Sequence, residues 1–163
     1  MRPAMTRVLR LTAPGAALAL LGLTGATAPA GAAGVAGTAA LPVTVYVANQ
    51  GSGTVTPIRA ATNRPGRAIN THGANSITAT PDGRTVYVGS FGPDTVTPIP
   101  VATNRPGRAI KVSGADDLLV TPDGKTLYAA TQNKVVPIST ATNAPGKPIP
   151  VRYGLPEELV ITP

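Results

Sequence analysis

Few side chains in this sequence can do acid–base, nucleophilic or metal chemistry: one histidine, no cysteine, and seven acids against 14 lysines and arginines. His72 could act as a general base or ligand because imidazole titrates near neutrality. A surface-loop histidine is the plainer reading, since Ser113 and Arg152 stand at the equivalent places in the repeats described below. Asp116-Asp117 and Glu157-Glu158 are acid pairs that could share Ca²⁺ with backbone carbonyls, but neither lies in a calcium loop of recognised spacing. Gly51-Ser52-Gly53 lacks the flanking pattern of a nucleophile elbow or phosphate loop and reads as a turn. Without cysteine there is no disulfide, thiolate metal site or lipidated N-terminal cysteine, so packing must hold the fold. No metal or cofactor is expected.

The elements that would position these residues are dictated by a repeat. Thr44 to Arg84 reads TVYVANQGSGTVTPIRAATNRPGRAINTHGANSITATPDGR, and 25 of its 41 positions recur without a gap from Thr85 to Lys125. A third copy runs from Thr126 to Pro163. A repeat of this length makes one supersecondary unit the building block. Within the first copy, Thr44–Ala48, Thr54–Ala61, Arg67–Thr71 and Ser76–Thr80 read as strands, separated by clusters rich in Gly, Asn, Ser and Pro. Thr80-Pro81-Asp82-Gly83 and Thr121-Pro122-Asp123-Gly124 have the chemistry of tight turns. Proline presets φ, aspartate bonds back to the backbone, and glycine takes positive φ. Each should close an antiparallel hairpin into the next TVY or TLY strand. Successive apolar residues, as in Val45-Tyr46-Val47 and Leu118-Leu119-Val120, predict strands covered on both faces. Tyr46, Tyr87 and Tyr128 recur with the repeat and read as core positions. Eighteen glycines and eighteen prolines interrupt any helix long enough to suit a helical repeat. The expected class is all-β, with propeller blades of four antiparallel strands and about three repeats near 41 residues, a partial or very small propeller.

The chain starts differently. Arg2, Arg7 and Arg10 precede an apolar run from Leu11 to Leu23, followed by Ala28-Pro29-Ala30, the pattern of a secretory signal peptide over residues 1–30. The run is too short for a spanning helix. Residues 31–43 form an Ala/Gly-rich lead-in, and 44–163 the repeats, as 44–84, 85–125 and 126–163. Removing the three leader arginines leaves 11 basic residues against seven acids, net +4 instead of +7. With so few aromatic residues, nucleic acid is not an expected partner.

TVYVAN, GSGTVTPI, ATNRPG and TPDG together resemble the YVTN-repeat branch of β-propellers, which are exported or cell-surface proteins of WD40-like fold. The resemblance covers Thr44 to Pro163. It implies that the fourth strand of each copy is the innermost strand of the next blade, so Glu157–Thr162 would begin a blade that nothing continues. Two departures stand out. Pro57, Pro98 and Pro137 interrupt a strand, predicting a bulge or a gap in pairing with the outer strand. There are also three copies where family members usually need seven. The chain could therefore be a fragment of a longer reading frame, complete a ring with a second copy, or persist as an open wedge.

The resemblance also divides the loops between two rims. A ligand rim would carry Asn49, Gln50, Ser52, His72, Phe91, Asp94, Asp116, Asp117, Gln132, Lys134, Arg152 and Tyr153, most of which differ from copy to copy. A basic rim would carry Arg64, Arg67, Arg84, Arg105, Arg108, Lys125 and Lys147, suited to an anionic wall polymer or lipid surface unless these are solvated turn charges. The expected function is an exported, non-catalytic binding or interaction scaffold at or outside the cell surface. Its partner would be a protein, glycan or wall polymer, with no transmembrane segment after leader removal. Alternatives are a fragment of a propeller enzyme, lactonase or quinoprotein-dehydrogenase-like, and a purely structural surface protein.

Overall fold

The computed structural model describes residues 42–152, 156 and 158–162. The expected leader and nearly all of the lead-in lie outside them. Among the described residues, twelve strands follow one another: β1 Thr44–Asn49, β2 Thr54–Arg59, β3 Arg64–Pro65, β4 Ile69–Asn70, β5 Ser76–Ala79, β6 Thr85–Ser90, β7 Thr95–Pro100, β8 Ile110–Lys111, β9 Asp117–Val120, β10 Thr126–Ala130, β11 Lys134–Ser139 and β12 Ile149–Pro150. They form three antiparallel sheets. The first is β1-β2 with β3 and β4 both on β2; the second is β5-β6-β7-β8; the third is β9-β10-β11-β12. Sheets and sequence copies are thus offset by one strand. β5 belongs to the first copy but pairs with β6 of the second, Ile77 opposite Val88, and β9 pairs with β10 in the same way.

The TPDG turns set that offset. Gly83 and Gly124 have φ of 69° and 71°, the left-handed conformation that favours glycine. Each donates its N–H to the threonine carbonyl three residues back, at 2.8 Å. The Thr80 and Thr121 hydroxyls donate to Asp82 Oδ1 and Asp123 Oδ1 at 2.6 Å, and Arg84 N and Lys125 N donate to the same oxygens at 3.0 Å. These bonds, the hydroxyl first and the backbone donor second, hold both carboxyls below their ordinary range.

The strand prolines leave the inner ladder intact. Pro57, Pro98 and Pro137 face Tyr46, Tyr87 and Tyr128 in continuous register, without a bulge. The missing N–H points to the outer side, where the expected gap lies. β8 meets β7 only at Thr95 and Val96, and β4 meets β2 only at Thr54 and Val55. Each proline carbonyl then accepts the N–H of Gly66, Gly107 or Gly146, at 2.7 Å. A Cβ on Gly107 would lie 3.2 Å from Pro98 Cγ and 3.2 Å from its carbonyl oxygen, so a larger residue there would push the ATNRPG turn a few tenths of an ångström off the proline.

Each sheet presents two different faces because side chains alternate along a strand. One face carries Tyr46, Ala48, Val55 and Pro57, or their equivalents; the other carries Val45, Val47, Thr56 and Ile58, or theirs. The tyrosine face of the first sheet packs on Val86, Val88 and Ile99 of the second, with Ile69 and Ala74 filling in. The second sheet repeats this against the third, Tyr87, Val96 and Ile110 against Leu127, Val136 and Ile138. Val88, Val96, Ile99, Leu127 and Ile138 have no exposed surface. At roughly 1.5–3 kcal/mol for each fully buried large apolar side chain, contact between sheets contributes substantially to the stability of each.

A polar latch crosses each joint. Tyr46 Oη donates to Asn104 Oδ1 of the following blade at 2.6 Å, and Tyr87 Oη to Asn143 Oδ1 at 2.9 Å. Asn63, Asn104 and Asn143 all have positive φ, between 51° and 56°, a conformation asparagine tolerates better than most residues. Asn104 and Asn143 therefore both turn the chain and receive the tyrosine. Burial pushes the phenols of Tyr46 and Tyr87 above their ordinary range, with the Asp82 charge adding to the shift at Tyr87.

Candidate functional site

Hydrogen bonds separate the loops into two rims. At one rim, Thr71 N reaches Gly53 O (3.1 Å), Val112 N reaches Asp94 O (3.0 Å) and Val151 N reaches Asn133 O (2.9 Å), tying each first hairpin loop to the end of the outer strand. At the other, Ala60 N reaches Val43 O (3.0 Å), Val101 N reaches Arg84 O (2.8 Å) and Thr140 N reaches Lys125 O (3.0 Å). The ATNRPG and TPDG turns share this second rim.

On the first rim the structure gathers only part of the expected set. Phe91, Asp94, Gln132 and Lys134 line a small recess of about 170 Å³ with Ser113 and Gly114. Asp94 is committed there, its Oδ1 accepting Gly114 N at 2.9 Å, and Phe91 is 46% exposed. Asn49 and Ser52 instead brace their own hairpin: Asn49 Nδ2 donates to Thr56 Oγ1 at 2.9 Å, and Ser52 Oγ lies 2.8 Å from Thr54 Oγ1. Gln50 lies beside them in a short 3₁₀ turn. His72 is exposed at a φ of 58°, and its backbone N–H donates to Asn70 Oδ1. Asp117 lies within β9, buried, and accepts Leu159 N at 2.7 Å; Asp116 N donates to Ala130 O. Arg152 is exposed, and Tyr153 lies outside the described residues. Among the described residues, no three of His, Cys, Asp and Glu come close enough to hold a metal ion.

The second rim holds a larger feature. Between the first two blades lies a cleft of about 910 Å³, lined by Arg59, Arg64, Arg67 and Arg105, with Thr44, Thr62, Asn70 and Asn104 among its polar neighbours and no acid. The strand ends and ATNRPG turns of adjacent blades make its walls, and the Tyr46–Asn104 latch fixes their spacing. All four arginines are exposed, and among the described residues none forms an ion pair. Arg84 and Lys125, by contrast, face Asp82 and Asp123 at 3.9 Å and 3.8 Å. Lys147 stands apart, exposed.

The same cleft recurs between the second and third blades, at about 610 Å³, with different charges. Pro100 and Ala144 stand where Arg59 and Arg105 stand in the first, leaving Arg108 and Lys111, and Lys111 Nζ reaches Pro93 O at 3.5 Å. Arg59 was not among the basic-rim residues expected from sequence because it reads as the interior of Thr54–Ala61. β2 ends at Arg59 instead, delivering it to the rim. The change from Arg59 to Pro100 to Ser139 across the copies was the available signal.

Fold and rims define a β-propeller-type repeat protein: all-β, with three four-stranded antiparallel sheets stacked face to face. No protein-family model matches the chain, and no curated protein matches it in sequence. Among solved structures it is similar to hydrazine synthase of Kuenenia stuttgartiensis, with TM-score 0.65 and 26% identity over 68% of this chain and 34% of that one. It is also similar in fold to U3-55K, with TM-score 0.60 and 10% identity over 68% of this chain and 37% of that one. The chain therefore spans about a third of the length of each of these two.

Proposed function

We propose that this chain is an exported propeller module of the YVTN-repeat type that binds an anionic cell-surface polymer without catalysing a reaction. The observation that carries the reading is the acid-free cleft with four arginines between the first two blades, set against its less charged counterpart at the next joint. Repetition alone would give both clefts similar charges; Arg59 and Arg105 concentrate the difference in one. Guanidinium forks pair bidentately with carboxylate or phosphate, and a concavity lined by one sign of charge focuses its field on an approaching anion. The leader-like first thirty residues support export, and the recurring TVYVAN, ATNRPG and TPDG motifs support the family.

The test uses polygalacturonate and a polyphosphate as probes. Arg59→Gln with Arg105→Gln should weaken binding about tenfold, the scale of one to two lost exposed charge-assisted contacts. Lys147→Gln should leave it within twofold. Raising ionic strength from 0.05 to about 0.5 M should weaken wild-type binding steeply. Equal loss in the Lys147 variant would refute the cleft as the site.

A further inference from the structure

The two ends of the blade stack carry complementary halves of the joint that the structure forms twice internally. At one end, Val45, Val47, Thr56 and Ile58 occupy the places that Val86, Val88, Thr97 and Ile99 fill in the first joint, yet they are only half-buried. At the other end, Tyr128, Val135 and Pro137 match Tyr87, Val96 and Pro98 and are likewise half-buried. The latch is split in the same way: Tyr46 and Tyr87 reach Asn104 and Asn143, whereas among the described residues Tyr128 meets no asparagine and Asn63 receives no tyrosine.

A strand edge is split too. β6 and β10 have inner neighbours, β5 and β9, but among the described residues the inner edge of β1 has none. Residues 158–162 repeat the β5 and β9 segments at the 41-residue period, are in no described sheet, and leave Val160 81% exposed and Ile161 38% exposed. Leu159 N on Asp117 Oδ2, at 2.7 Å, holds this segment beside β9 as the first strand of a blade that β1 of the same chain does not complete.

We infer that a second copy of this chain completes that blade. Residues 158–161 of each copy pair antiparallel with β1 of the other, Leu159 opposite Val47 and Val160 opposite Tyr46, in the register of Ile77 with Val88. Tyr128 of each donates to Asn63 of the other. The arrangement is reciprocal, so two copies close into a six-bladed ring, within the usual range of propellers. It reuses an interface already formed twice in the chain and covers both a strand edge and two apolar faces, features that otherwise invite open-ended association.

The test uses the chain expressed from its full coding sequence. Sedimentation at micromolar concentration should give twice the chain mass; a monomer, or a ladder of larger species, would overturn the inference. The natural chain has no cysteine, so introduced thiols report cleanly. Leu159 and Val47 would form a non-hydrogen-bonded pair with Cα atoms about 4.5 Å apart, suited to a disulfide. An equimolar mixture of Val47→Cys and Leu159→Cys chains should oxidise to a covalent dimer, and neither variant alone should do so. Cross-linking of either variant by itself, or no cross-linking of the mixture, would overturn the register. An intrachain bond in the double variant would overturn the second copy.

Discussion

The Tyr87–Asn143 latch can be removed from either side, which makes its contribution measurable. Tyr87 is 1% exposed and its hydroxyl lies 2.9 Å from Asn143 Oδ1. Tyr87→Phe keeps the ring in the core and deletes only the donor. Asn143 sits in an exposed turn, so water can re-solvate its amide, and the loss should be near the net value of one hydrogen bond, about 1 kcal/mol. Asn143→Gly removes the acceptor while keeping a residue suited to a φ of 56°; Asn143→Ala should cost about 1 kcal/mol more, for backbone strain. In urea, with a denaturant slope of about 2 kcal/mol per molar, Tyr87→Phe should lower the unfolding midpoint by roughly 0.5 M. The double variant should then lose less than the sum of the singles, with a coupling energy of about 0.5–1.5 kcal/mol. Additive losses would refute the latch. Tyr87→Phe should also flatten the alkaline limb. A phenol whose folded pKa is raised contributes stability that is intact below the unfolded value, about 10, and is lost as pH rises through the folded value.

Gly89→Ala should cost 3 kcal/mol or more or prevent folding, because the new Cβ would collide with Ser76 Oγ and lie 2.7 Å from the Ala115 carbonyl oxygen; alanines stand at the equivalent positions, Ala48 and Ala130, so a mild effect by thermal melting would contradict the tight inner joint. Ile99→Ala, at a site with no exposed surface between the first two blades, should cost about 2–5 kcal/mol; a loss below 1 kcal/mol in urea would mean the blades do not stabilise one another. Asp82 and Asp123 have lowered carboxyl pKa values, so their contribution is full above the unfolded range near 3.9 and fades as pH falls through the folded values. The double variant Asp82→Asn, Asp123→Asn should show a shallower acid limb in thermal melts between about pH 5 and 2, and an unchanged limb would mean the turns carry no charge-assisted bonds.

Local chemistry made most of the architecture legible. The period, the strands and the TPDG hairpins follow from turn residues and β-branched runs that act within a few positions of themselves, and the prolines' outer-edge gap follows from one missing donor. The burial of Tyr46 and Tyr87 could be read from their recurrence, whereas Tyr128, on the last blade with no sheet against its face among the described residues, is only half-buried. The hydroxyl bonds of Tyr46 and Tyr87 could not be read, because Tyr46 and Asn104 lie 58 residues apart and meet only after two sheets stack. The same stacking separated the basic residues expected together: Arg64, Arg67 and Arg105 converge on one cleft, Arg108 falls in the next, and Arg84 and Lys125 are drawn to aspartates of their own turns. Arg59 joined the site only because β2 stops at the rim. What the sequence by itself determined were the repeat, the strands and the turns, since each depends on neighbours along the chain. Which charges share a cavity, and which faces remain uncovered, was decided only by how one sheet rests on the next, a relation between residues about forty or more positions apart.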